Sequence, residues 1–140
     1  MSESSSFPPA NYSRADCTIS TDPALLDIAT IHSYLSERAY WAWGISRDRV
    51  ERSIQHSLCF GVYSIESIPP LQVGFARVIT DYATFAYLAD VFILPDYQGQ
   101  GLGKWLVATI LNHPELQEVR RWALYTKYKR CPRALSTIRL

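Results

Sequence analysis

The most informative segment of the chain is Asp90-Val-Phe-Ile-Leu-Pro-Asp-Tyr-Gln-Gly-Gln-Gly-Leu-Gly-Lys-Trp105. Its β-branched and aromatic beginning predicts a strand that ends at Pro95, and the glycines then lead into a helix predicted over residues 104–111. Glycines allow main-chain N–H groups to approach an anion closely, and the start of a helix adds partial positive charge. The stretch therefore predicts a phosphate-binding turn between a strand and a helix.

Two common phosphate-binding motifs do not fit this turn. A P-loop requires a glycine five residues before the Gly103-Lys104 pair and a Ser or Thr after it, but Gln98 and Trp105 occupy those positions. A dinucleotide fingerprint that begins at Gly99 needs its last glycine where Lys104 stands. ATP and dinucleotides are therefore disfavoured as ligands.

The flanking sequence predicts a regular series of helices and strands. Asp22-Pro23 is typical of a helix start, and the apolar spacing that follows predicts a first helix, in which we interpret His32 as an ordinary helix residue. Ser46 is the predicted cap of a second helix. Strands are predicted over residues 59–63, 73–79, 85–93 and 121–125. The first three of these strands follow one another directly, which indicates an antiparallel meander in an α+β fold.

Composition and charge limit the remaining possibilities. We expect a disordered leader over residues 1–16, one globular domain over 17–126 and an atypical basic tail over 127–140. The tail holds five of the 14 basic residues, which leaves a net charge of −4 on the rest of the chain and argues against nucleic-acid binding. No apolar run of membrane-spanning length and no signal-peptide pattern occur, so we expect a cytoplasmic protein, with the nucleus not excluded, and no membrane partner.

The cysteines and histidines do not indicate a metal site. The three cysteines are an odd number without a CxxC spacing, so we expect reduced thiols rather than a disulfide framework. The three histidines are scattered along the chain and never paired at helical spacing. We therefore expect no metal.

The spacing Gln98-x-x-Gly101-x-Gly103 after a Val-Phe-Ile strand resembles the acetyl-CoA signature of the GNAT superfamily of N-acetyltransferases. The order of predicted elements resembles that family as well, over about residues 17–126. The resemblance implies a mostly antiparallel sheet flanked by helices, with acetyl-CoA as co-substrate and a small-molecule amine or a protein lysine as acceptor. A glycine turn that only lets a helix pack on a strand is the alternative, and it does not explain the matching order of elements.

The resemblance also implies which residues bind acetyl-CoA. The main chain of Val91, Phe92 and Ile93 would pair with the pantetheine arm as an added strand does. The pyrophosphate would be held by main-chain N–H groups of Gln98, Gly99, Gln100, Gly101, Leu102, Gly103 and Lys104. Gln98 stands where the family more often has Arg, and the Lys104 side chain is either a phosphate contact or a solvated lysine.

For catalysis the attacking amine must lose its proton. Asp90 is the only carboxylate in the strand that would run beside the thioester, so it is the first candidate for the base. Strict alternation places Asp90 on the face of Leu88 and Phe92 unless a bulge shifts the phase. Asp81 is a second candidate that is better explained as a turn former, and a chain of waters is a third.

The short connection between the first two helices contains Tyr40, Trp41 and Trp43. In the family this connection borders the acceptor pocket, so the three aromatic residues are candidates to bind the amine by cation–π contact. Packing in the core is the competing interpretation of such a cluster.

After residue 126 the sequence departs from the family. Relatives continue with a helix that carries a tyrosine, an aromatic-Gly-Phe turn and closing strands, whereas no glycine follows Gly103 here and Pro132 interrupts the tail. We therefore expect a C-terminally truncated fold, from truncation, alternative splicing or a shifted reading frame. The exposed edge makes a homodimer possible, and an acyl-CoA-binding module without turnover is the alternative function.

Overall fold

The computed structural model describes residues 9–124, whose strands form one sheet in the order β1-β2-β3-β4-β5-β6. Neighbouring strands are antiparallel except β5 and β6, which are parallel. The strands are β1 (Asn11–Arg14), β2 (Cys17–Ser20), β3 (Leu58–Ser64), β4 (Leu71–Thr80), β5 (Phe85–Ile93) and β6 (Arg121–Leu124). The helices are α1 (Ile28–Glu37), α2 (Arg47–Gln55) and α3 (Leu102–Leu111). The predicted α+β, mostly antiparallel architecture is confirmed.

The core forms two clusters that use opposite faces of the sheet. Adjacent residues of one strand, such as Cys59 and Phe60 or Phe75 and Ala76, belong to different clusters, as the alternation of side chains along a strand requires. The first cluster lies under α3 and includes Phe60, Val62, Val78, Leu106 and Ile110. The second lies under α1 and α2 and includes Ile31, Leu35, Val50, Phe75 and Phe92.

The helix starts agree with the sequence prediction in part. The Ser46 hydroxyl accepts a hydrogen bond from the Arg49 N–H, which confirms the predicted cap of α2. Asp22 caps only the short 3₁₀ turn Pro23–Leu25, because Leu26 is extended and Asp27 begins α1 as a second cap. His32 is an ordinary helix residue as predicted, with its Nε2 atom 3.0 Å from the Ile45 carbonyl oxygen.

The predicted leader extends too far along the chain. Residues 11–14 form β1, which pairs with β2 from Asn11↔Ser20 to Arg14↔Cys17. This strand is short and mostly exposed, and main-chain hydrogen bonds hold it. Its sequence therefore shows no alternation of apolar and polar residues by which a strand is predicted. Residues 1–8 of the predicted leader lie outside the described residues.

The meander and the helix after the glycine turn are confirmed, although α3 begins at Leu102, two residues earlier than predicted. The predicted strand over 121–125 is β6, of which Leu124 is the last described residue. The predictions for the tail over 127–140, including truncation, lie outside the described residues. Within residues 9–124, no helix has the length and apolar character that crossing a membrane requires.

Candidate active site

A β-bulge in β5 places Asp90 at the centre of the candidate site. The register runs from Phe75↔Phe92 directly to Arg77↔Ala89, so two residues of β5 oppose one residue of β4. Asp90 has a φ of +55°, a left-handed conformation that costs energy outside glycine. The bulge brings Asp90 to the face of Phe92, as predicted, whereas Leu88 packs in the opposite cluster under α3. Strict alternation groups Leu88 with Asp90, and the bulge that would shift this phase is present, so the two residues lie on opposite faces.

The Asp90 carboxylate accepts hydrogen bonds from two other segments. Arg77 donates from Nε to Asp90 Oδ2 at 2.7 Å, and Trp41 donates from Nε1 to Asp90 Oδ1 at 2.8 Å. Arg77 also donates to the Ser57 hydroxyl at 3.2 Å. The Arg77 and Asp90 side chains are only 16% and 10% exposed, so this ion pair is largely shielded from water. Sequence reasoning missed Arg77, although a charged residue inside the apolar strand 73–79 was a usable signal.

Beyond this bulge, the outer edge of β5 is open as far as residues 9–124 are concerned. The last β5–β6 pair is Leu88↔Leu124, and beyond it Val91, Phe92 and Ile93 have no strand neighbour on that side among residues 9–124. The Phe92 ring is buried and stacks on Tyr34 with ring centres 4.0 Å apart, so its side chain anchors the strand while its main chain follows the open edge. An open edge of this kind suits an extended ligand that pairs through amide groups.

The signature loop, residues 98–104, follows this edge and presents its main chain. Gly99 and Gly101 adopt φ values of +84° and +82°, which only glycine adopts without strain. The N–H groups of residues 99–104 have no hydrogen-bond partner within the described part of the chain. These donors surround the start of α3, where the helix adds partial positive charge. The loop therefore fits an anionic group such as a pyrophosphate.

The side chains of the loop contribute less than its main chain. Gln98 donates from Nε2 to the Ile93 carbonyl oxygen at 2.8 Å, so its amide already connects the loop to the end of β5. The Gln98 side chain thus holds the two predicted cofactor-binding segments together. Lys104 is exposed in the first turn of α3, which leaves both interpretations of this lysine open.

The aromatic connection, residues 40–46, contacts Asp90 through Trp41. Trp41 is 46% exposed and Trp43 is 76% exposed, so these rings are not core residues. Tyr40 packs edge-on against Trp41 with ring centres 5.2 Å apart. Residues 40–46 and Arg49 line an open cavity of about 510 Å³. The Trp41–Asp90 hydrogen bond brings this cavity to the bulge.

Asp81 is a turn former, as the stronger interpretation of the sequence held. Its carboxylate accepts hydrogen bonds from the Thr84 hydroxyl and from the N–H groups of Thr84, Ala83 and Phe85. These bonds, those of Thr84 above all, hold the pKa of the Asp81 carboxyl well below its usual range. A carboxylate used in this way is a poor proton acceptor.

Metal and thiol chemistry find no support in the described residues. Within 9–124, no three His, Cys, Asp or Glu side chains are grouped so that they could hold a metal ion. Cys17 and Cys59 are free, buried thiols, and burial raises the pKa of Cys59 to about 12. Cys131 lies outside the described residues.

Comparison with known proteins assigns this sheet and its glycine-rich loop to the acetyltransferases. Residues 28–132 match the model of the acetyltransferase (GNAT) family. A candidate acetyltransferase of Gibberella zeae is 40% identical over 119 residues, which cover 74% of this chain and 67% of that protein.

Two solved structures share the fold. A candidate GNAT-family acetyltransferase from Xanthomonas campestris is 44% identical, with a TM-score of 0.77 over 90% of this chain and 82% of that one. A GNAT-family acetyltransferase from Streptococcus pneumoniae is 20% identical, with a TM-score of 0.65 over 89% and 86% of the two chains, and it bears on the fold alone. The chain belongs to the GNAT acetyltransferase family.

Proposed function

We propose that this GNAT acetyltransferase transfers an acetyl group from acetyl-CoA to an amine by direct attack, without a covalent intermediate on the protein. The observation that carries the proposal is the set of N–H groups of residues 99–104, which have no partner among the described residues and follow an open strand edge. Together they suit a ligand with a pyrophosphate at one end and an extended amide-containing arm, which is the chemistry of acetyl-CoA.

In this proposal the two segments bind different parts of the co-substrate. Main-chain N–H groups of Gly99, Gln100, Gly101, Leu102, Gly103 and Lys104 hold the pyrophosphate. The Gln98 N–H, which the sequence also offered, already donates to the Pro95 carbonyl oxygen at 3.3 Å and is not part of this set. The edge formed by Val91, Phe92 and Ile93 pairs with the pantetheine arm and brings the thioester towards the bulge. A main-chain N–H of this strand then stabilises the oxyanion that forms when the amine attacks.

Asp90 is the candidate base for the attacking amine. Each of its oxygens accepts one hydrogen bond, from Trp41 or from Arg77, and each keeps a further lone pair for a proton or an ammonium group. Arg77 balances its charge, so the carboxylate stays oriented in a largely buried position. Tyr40, Trp41 and Trp43 form the wall against which a cationic or apolar amine would pack.

The proposal is tested with the purified full chain, acetyl-CoA and a panel of amines that includes polyamines, amino sugars, aminoglycosides and lysine peptides. We expect thiol release that depends on one class of amine, with the acetylated amine identified by mass spectrometry. Replacing Asp90 with Asn should lower the rate by a factor on the order of 10²–10⁴ if Asp90 is the base. The Arg47→Ala variant, which changes an exposed ion pair on α2, is the control.

The same experiment separates the alternative function. Binding of acetyl-CoA without thiol release for any amine would favour an acyl-CoA-binding module, and a full rate for Asp90→Asn would favour water as the base. The acceptor, which is either a small-molecule amine or a protein lysine, stays a prediction. The same holds for the homodimer and for the cytoplasmic location.

A further inference from the structure

The end of β1 reaches the signature loop through one side chain. Arg14 donates from Nη1 to the Gly101 carbonyl oxygen at 3.1 Å and from Nη2 to the Gln100 carbonyl oxygen at 3.3 Å. Its guanidinium carbon also lies 5.6 Å from the centre of the Trp105 ring on the first turn of α3. A residue of the expected leader therefore contacts the loop at two carbonyl oxygens and α3 at the Trp105 ring.

These contacts fix the orientation of the donors on the loop. A peptide group is planar and trans, so its C=O and N–H bonds point in opposite directions. Holding the Gln100 carbonyl therefore aims the Gly101 N–H. The Gly101 carbonyl, which Arg14 shares with the Trp105 N–H of the first helical turn, aims the Leu102 N–H. Both N–H groups lack a hydrogen-bond partner among residues 9–124. Arg14 thus binds the carbonyl oxygens of these peptide groups, on the side opposite to their N–H donors.

The fit between Arg14 and the loop is close. A Cβ atom added to Gly101 would lie 3.1 Å from Arg14 Nη2, whereas one added to Gly99 would meet no atom within 4 Å. Two features therefore disfavour a side chain at position 101: the positive φ of Gly101 and the guanidinium group beside it. The forked guanidinium suits this place because its N–H groups reach two carbonyls at once.

We propose that Arg14 is a positioning residue for the diphosphate of acetyl-CoA. It holds the two peptide planes at Gln100–Gly101 and Gly101–Leu102 so that their N–H groups face the anion before the ligand arrives. The inference rests on the proposed function, since it assumes that the loop binds this diphosphate. It assigns Arg14 no contact with the ligand itself, and it makes affinity for the co-substrate depend on β1.

The experiment is calorimetric titration of the full chain with CoA and with 3′-dephospho-CoA. The variants are Arg14→Ala, Arg14→Lys and the control Arg52→Ala, which removes an equal charge from an exposed position on α2. Arg14→Ala should weaken both ligands by the same factor, about tenfold for the loss of two charge-assisted hydrogen bonds. Arg14→Lys keeps the charge and at least one donor, so its affinity should lie between those of Arg14→Ala and the parent chain. Arg52→Ala should bind as the parent chain does.

A second measurement follows the conformation of the loop in the absence of ligand. In the free protein, Arg14→Ala and Arg14→Lys should both shift the NMR signals of the Gly101 and Leu102 amides and leave the buried Gly61 amide unchanged. If Arg14→Ala does not fold, Arg14→Lys carries both measurements.

Three results would overturn the inference in distinguishable ways. Binding of Arg14→Ala equal to that of a parent chain that binds CoA would refute the role of Arg14 and leave the proposed function in place. A loss seen with CoA but not with 3′-dephospho-CoA would show a direct contact with the 3′-phosphate in place of positioning. A parent chain that binds neither ligand would refute the proposed function, and the inference with it.

Discussion

The two halves of the candidate site are built by different means. The donor half, the signature loop over residues 98–104, presents main-chain N–H groups whose direction is set by two glycines with positive φ. The acceptor half, the aromatic connection over 40–46 with Asp90 and Arg77, is built from side chains that come from three separate segments. A site made of main chain is visible in the local sequence, whereas a site made of side chains depends on the tertiary fold.

The largest loss of stability is expected from a substitution in the buried part of the acceptor half. Arg77→Met should lower the free energy of unfolding by about 3–5 kcal/mol, because it leaves the largely buried Asp90 carboxylate without its charged partner. Arg47→Met breaks an exposed pair with Glu51 on α2 and should cost no more than about 0.5 kcal/mol. Urea unfolding followed by circular dichroism measures both values, and similar losses in the two variants would contradict the proposed importance of burial.

The next effect compares two glycines of the donor half. Gly99→Ala and Gly101→Ala should each cost about 1–2 kcal/mol through strain, since both residues have a positive φ. Only Gly101→Ala also presses on Arg14, so it should weaken acetyl-CoA binding more than Gly99→Ala does. Calorimetric titration compares the two, and a greater loss for Gly99→Ala would show that Arg14 is unimportant for the loop.

A smaller effect should mark the link between the aromatic connection and the bulge. Trp41→Phe keeps an aromatic ring but removes the N–H that Asp90 accepts, and the half-exposed position limits the loss of stability to about 1 kcal/mol. Trp43→Phe is the matched control, because Trp43 is exposed and has no hydrogen bond among the described residues. Equal stability of the two variants would mean that the Trp41–Asp90 bond contributes nothing.

The smallest effect concerns pH and the far end of α3. His113 is buried, packs edge-on against Phe60 and accepts the Glu115 N–H at its Nδ1 atom, and burial lowers the pKa of this histidine. As the pH falls below the usual histidine pKa of about 6.5, the unfolded chain takes up a proton that the folded chain resists. The stabilising contribution of His113 is therefore present above that pH and is lost as the pH decreases towards the folded value.

Unfolding measured between pH 8 and about pH 5 tests this sign, a range chosen to bracket the usual histidine pKa. His113→Asn keeps an oxygen acceptor for the Glu115 N–H, and we expect it to flatten the dependence of stability on pH. His56→Asn removes an exposed histidine and serves as the control. An unchanged slope in His113→Asn would assign the dependence to other groups.

Local signals were sufficient for much of the fold and for the donor half. The Ser46 cap, the three strands of the meander and the glycine turn before α3 each depend on residues within a few positions of one another. Such features follow from local conformational preferences, which the sequence states directly. Strand β1 was not predicted, because an edge strand of four residues is held by main-chain pairing and shows little alternation of apolar and polar residues.

Long-range side-chain contacts could not be predicted in the same way. The pairing of Arg77 with Asp90 depends on a bulge that changes which face Asp90 occupies, and Arg14 meets the loop 87 residues further along the chain. The exposure of Trp41 and Trp43, which separates a pocket wall from a core cluster, is likewise set by how α1 and α2 pack on the sheet. These contacts become visible only when the segments are assembled.

The most direct test of the account is an NMR titration of the full chain with acetyl-CoA that follows its glycine amides. Three of the six glycines, Gly99, Gly101 and Gly103, lie in the signature loop, and Gly61 lies buried in β3 as an internal reference. Saturable shifts of the three loop amide signals are expected, while the Gly61 signal stays unchanged. Loop amides that do not move at saturating acetyl-CoA, or shifts at Gly61 as large as theirs, would contradict the claim that the main chain of this loop binds the co-substrate.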